Sequence, residues 1–117
     1  MRNVLTFAAI GEIATGAALF LAPSIVAQLL LGAALDGAGI PVARVAGIAL
    51  IGLGLACWPL TPLVGMLVYS TLVTLYLAYL GLAGGFVGLL LWPAVILHLV
   101  LSVLLGMVWL DFKDKAA

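Results

Sequence analysis

Charge is what this chain most lacks. From Val45 to Leu110, 66 consecutive residues include no Asp, Glu, Lys or Arg, and His98 is the one group there that titrates near neutral pH. A water-soluble domain of 117 residues could not carry such a run without leaving large apolar surfaces in water. Cysteine is nearly absent too: Cys57 stands alone, which excludes an internal disulfide and any cysteine-built metal cage. One histidine and four scattered carboxylates match no zinc or di-iron pattern, so no metal site is expected. The formal net charge is zero, which leaves no electrostatic footprint for nucleic acid. No P-loop, dinucleotide fingerprint, zincin helix or nucleophile elbow occurs. The sequence therefore offers no catalytic residue, and a non-enzymatic role is expected.

What is present is apolar. Hydrophobic residues make up 68% of the chain, and its mean hydropathy is +1.46. Hydrocarbon demands this composition, so the chain reads as an integral membrane protein. Arg2 followed by an apolar stretch resembles a signal peptide, but Glu12 interrupts the would-be apolar core.

Proline, glycine and charge divide the chain into four segments able to cross a bilayer, whose core of about 30 Å needs about 20 helical residues. Spans are expected over about 4–21, 41–58 and 63–82, with the fourth inside Phe86–Leu110 at about 88–110. A first helix continued to Leu31 would be about 42 Å long, too long to cross unbent. Pro23 suits the first turn of a new helix, so PSIVAQLLL (23–31) is expected to form a short interfacial helix. Pro93 marks a helix start or a kink. Pro41 and Pro93 each precede a glycine, Gly54 and Gly106, by the same interval, a faint internal repeat. The fold class expected is all-α: an integral membrane four-helix bundle with a short interfacial helix after the first span.

Four crossings put Arg2, Lys113 and Lys115 on one side and Arg44 on the other. The positive-inside rule then makes both termini cytoplasmic, with Trp58 and Trp109 at the inner interface and Trp92 at the outer one.

Intramembrane polar residues mark the positions where function would reside. Glu12 lies mid-span, with small neighbours Ala8, Ala9, Thr15 and Gly16 at helical spacing, so it should point into the bundle. Three readings are open for it. Arg44 could reach inward to form an ion pair pinning the first span to the second. Burial could instead raise the pKa of Glu12 and make it a proton- or cation-binding carboxylate. Arg44 could also face lipid headgroups while Glu12 stays protonated. His98, with Ser102 one turn along, suits a hydrogen bond inside a helix contact, a proton relay with Glu12, or a haem ligand completed by a second chain. Ser70, Thr74 and Tyr76 belong to a hydroxyl-rich third span that could bond locally, line a polar path or meet a quinone-like headgroup. Ala14/Ala18, Ala43/Gly47 and Gly52/Ala56 have the small-xxx-small spacing of close helix contacts. Four helices have more such faces than they need, which points to a second copy or another membrane subunit as partner.

TGAALFLAPSIVAQLLLG (15–32) followed by PVARVAGIALIGLGLA (41–56) resembles the first half of DoxX-like small four-helix membrane proteins. The resemblance implies a compact bundle in the bacterial inner membrane, in some members associated with quinone-linked oxidoreductase complexes. The second half carries no matching motif. Three functions are compatible with these residues: an auxiliary or anchoring subunit of a membrane complex, a small oligomeric proton- or ion-coupled transporter using Glu12, and a quinone- or lipid-handling component of an oxidoreductase. No cofactor is required, quinone and lipid being the candidates.

Overall fold

The computed structural model describes residues 2–85 and 88–116; Phe86 lies outside them. Five α-helices and no strand occur among the described residues: α1 Arg2–Leu21, α2 Pro23–Leu31, α3 Gly39–Cys57, α4 Pro62–Tyr79 and α5 Leu91–Ala116. Four of them are long and apolar enough to cross a membrane. The chain is a small multi-pass membrane protein with an all-α four-helix bundle and one short extra helix after the first span.

Local chemistry explains most boundaries. Pro23 stands at the first position of α2, and Gly32 ends that helix at φ 78°, its N–H donating to Gln28 O. Few residues other than glycine adopt that left-handed geometry. Thr61 caps α4 by accepting from the Val64 N–H at 3.3 Å, with Pro62 next in line. A π-helical turn, Leu80–Gly84, extends α4 and ends at Gly85 in the left-handed region. Two boundaries differ from expectation. Pro41 lies in the first turn of α3 rather than opening it, since helix starts tolerate proline where N–H groups have no partner anyway. Pro93 does not open α5; it sits in the first turn of a helix that runs past Leu110 to Ala116.

The bundle is laid out in single file. α1 packs on α3, α3 on α4 and α4 on α5, while α2 touches α1 and α3. The Cα extents are 49 × 37 × 16 Å. In a closed two-by-two bundle both shorter Cα extents would be about 15 Å, so the 37 Å width describes an open row. Burial follows the same order: 28% and 22% of the spans at α3 and α4 are buried, against 11% and 6% at α1 and α5. Gly47, Ile51 and Gly54 of α3 face α1, whereas Gly52 and Ala56 face α4. At 3.6 residues per turn these two stripes point about 140° apart, which extends the row instead of closing it.

Backbone-close contacts hold the row. A Cβ on Gly16 would sit 2.5 Å from Gly47 O, and one on Gly54 would sit 2.7 Å from Ala9 O. Between α3 and α4, a Cβ on Gly65 would meet Ala56 Cβ at 2.5 Å and Gly52 O at 2.7 Å. In hydrocarbon there is no water to expel, so association rests on this close van der Waals packing. Gly54 and Gly106 are not equivalent: Gly54 is packed, and nothing lies within 4 Å of a Cβ on Gly106. The repeat hinted at by their spacing has no counterpart in packing.

One substitution at two positions of α1 tests this account. Gly11 has open space around it and Gly16 does not. Gly11→Ala should leave stability unchanged or raise it by up to about 1 kcal/mol through helix propensity. Gly16→Ala should lower it by about 1–3 kcal/mol through overpacking against a carbonyl that cannot move alone. Reversible denaturation in mixed micelles reads both.

Candidate intramembrane sites

Three groups of polar side chains are set by the row, each in a different place. The first is at the end of α1 that meets the start of α3. The break at Ala22-Pro23 leaves last-turn carbonyls of α1 without the donors a continuous helix would supply. Arg44 supplies one: its Nε donates to Phe20 O at 3.1 Å, and its charge sits at the negative end of the helix dipole. Of the three readings open for Glu12, the ion pair with Arg44 does not form among the described residues. Phe20 is eight residues from Glu12, about 12 Å along the helix, so an Arg44 committed to Phe20 is out of reach of the carboxylate. The only ion pair among the described residues is Lys115–Asp111 at 3.1 Å, an exposed pair of little energetic weight. Glu12 is half-buried, and Thr15, one turn along, is exposed.

The second group lies between α4 and α5. His98 Nδ1 is 2.8 Å from Ala94 O; a carbonyl only accepts, so Nδ1 donates. Ser102 Oγ donates to His98 O at 2.7 Å, and Thr74 Oγ1 donates to Ser70 O at 2.7 Å. Each side chain thus closes on its own helix, one turn back. The Tyr69 ring stands edge-on to the imidazole with centroids 5.9 Å apart. Ser70 is fully buried, and its hydroxyl has no partner among the described residues. Tyr69 and His98 meet across α4 and α5, and no hydrogen bond among the described residues joins the Ser70–Thr74 pair to the His98–Ser102 pair. A relay from His98 to Glu12 does not form within one chain either, because α1 and α5 are opposite edges of the row. Among the described residues, no three of His, Cys, Asp and Glu gather where a metal could bind.

The third group surrounds a cleft of about 330 Å³ where α1, α3 and α4 meet. Phe20, Ile48, Ile51, Leu72 and Leu75 line it together with Tyr76 and Tyr79. Tyr76 packs edge-on to Phe20 at 5.7 Å and stacks on Tyr79 at 6.3 Å, and its hydroxyl is buried without a partner among the described residues. Phe20 was not singled out from the sequence. The three-residue spacing of Tyr76 and Tyr79, which puts both on one face of α4, was the available signal.

Of the expected packing positions, Gly47, Gly52 and Ala56 lie at helix contacts. Ala43 is half-buried, while Ala14 and Ala18 are exposed on the flank of α1 away from α3. The contact stripe of α1 is instead Ala9, Ile13, Gly16 and Phe20. No family model, curated protein or solved structure matches this chain.

The unpartnered hydroxyl at Ser70 gives a prediction with a definite sign. Ser70→Ala should leave stability unchanged or raise it by about 1 kcal/mol, because it removes a polar group buried without a partner. A loss of more than about 1 kcal/mol in the same micelle denaturation would reveal a partner for that hydroxyl.

Proposed function

We propose that this protein is a non-catalytic membrane subunit whose α1 edge docks against a helix of another membrane protein. The observation that carries the reading is the open edge of the row. Gly11, Ala14 and Ala18 lie exposed along the flank of α1 away from α3. Small residues so spaced let a second backbone approach closely. Glu12, on the face between that flank and the α3 contact, is a half-buried mid-span carboxylate with no ion-pair partner among the described residues. A hydrogen-bond donor or cation from a neighbouring helix would offset the cost of keeping it there. The resemblance of the first half to DoxX-like proteins fits the same role. In this reading the termini are cytoplasmic and the membrane is the bacterial inner membrane. Four α-helices carry the mass, and no soluble reaction centre is required.

A second reading has one observation in its favour. Glu12 is the only carboxylate well inside a span, and such residues serve proton and ion pathways. A single row of helices encloses no path, so transport through Glu12 would require a second copy to complete one.

Isolation in mild detergent decides between them. The subunit reading predicts a copurifying membrane protein that is lost on Ala14→Leu/Ala18→Leu, while the variant chain itself stays folded and membrane-inserted. A homodimer without other proteins, which gives ion flux in proteoliposomes abolished by Glu12→Gln, would replace the first reading with the second.

A further inference from the structure

Arg44 does two things at once, and only one is explained by its bond to Phe20. The Nε–H is used at 3.1 Å, and the terminal guanidinium nitrogens make no hydrogen bond to the described residues. The group is therefore held in place with its charge and remaining donors unspent. Its Cα stands five residues into α3, about 7.5 Å from the helix start, and its Nε meets the carbonyl of Phe20, one residue from the end of α1, so the guanidinium lies at the edge of the hydrocarbon. Directly below it on the same face of α3, at four and seven residues, are Ile48 and Ile51. Both line the cleft between α1, α3 and α4, as does Phe20, the residue that anchors Arg44. Its further wall, from Tyr79 down to Leu72, runs from that end of α4 toward the middle of the membrane. A fixed cation thus stands one turn above Ile48, at the near end of an apolar cleft that descends about 10 Å into the hydrocarbon.

We propose that this cleft is a binding site for one phospholipid, with its phosphate on the Arg44 guanidinium and one acyl chain between Ile48, Ile51 and Leu72. Charge complementarity selects the occupant. A phosphate accepts the paired donors of a guanidinium in a fork geometry and neutralises it. A quinone headgroup offers acceptors but no charge, leaving the cation uncompensated beside hydrocarbon. A partner helix, about 10–12 Å across with its side chains, is too thick for a cleft of about 330 Å³. The site is on another part of the molecule from the α1 flank, so it stands or falls independently of the subunit reading.

Native mass spectrometry of the protein in a neutral detergent, after exchange into palmitoyl-oleoyl phosphatidylglycerol, tests it. One phospholipid should stay on each chain. Arg44→Gln should reduce its retention about tenfold, as expected for losing a charge-assisted hydrogen bond. Arg44 also caps α1, so a second variant leaves that cap in place: Leu72→Trp fills the cleft and should displace the same lipid. Gly106→Leu, in open space on α5, should retain it as the wild type does. Wild-type retention by Leu72→Trp would overturn the proposal. So would retention of ubiquinone, in place of the phospholipid, when both are supplied at equal concentration.

Discussion

Everything in this molecule depends on how closely backbones approach where glycine meets glycine. Gly16 of α1 lies against the Gly47 carbonyl of α3, and Gly65 of α4 lies against the Gly52 carbonyl. In water, burying apolar stripes would force four such helices into a closed core. In hydrocarbon the lipid tails are as apolar as the side chains, so a helix gains by packing only where its surface is small or shaped to fit. α3 has two such stripes on nearly opposite sides, one for each neighbour. The result is a row with α3 and α4 inside and α1 and α5 at the edges, as their buried shares record.

Apart from the Ser70 and Tyr76 hydroxyls, the polar groups of α4 and α5 follow the rule that buried hydrogen-bonding capacity is satisfied close to home. His98, Ser102 and Thr74 each bond to a carbonyl of their own helix. Arg44 crosses between helices because Pro23 interrupts α1 and leaves carbonyls in need of a donor. Its bond to Phe20 ties α3 to the end of α1 at the level where the chain turns into α2. One proline thus accounts for the short helix and for the position of the charge above the cleft.

Much of the fold was legible because punctuation in a membrane protein is sparse and unambiguous. The charge-free run, Pro23, Pro62 and the glycines near position 85 mark the ends of helices for reasons of backbone chemistry alone. Neighbour choice was not legible. The spans are apolar all round, so no face announces its partner. Ala14/Ala18 and Gly52/Ala56 have equivalent spacing, yet only the second pair lies in a contact within the chain. Matching Glu12 to Arg44 by opposite charge overlooked the carbonyls freed by Pro23, a signal present in the sequence. The cleft depends on Phe20, Ile48 and Tyr76 meeting from three helices, which one-dimensional spacing does not reveal.

The claim most exposed to refutation is the single-file order. Spin labels at Gly11 on α1 and Gly106 on α5, in a chain with Cys57 replaced by Ala, would report the distance between the two edges in nanodiscs at a common depth. Three interhelical steps of 8–10 Å place the helix axes about 25–30 Å apart. A distance distribution centred near that value is what the row requires. One centred near 10 Å, the separation of adjacent helices in a closed two-by-two bundle, would contradict it.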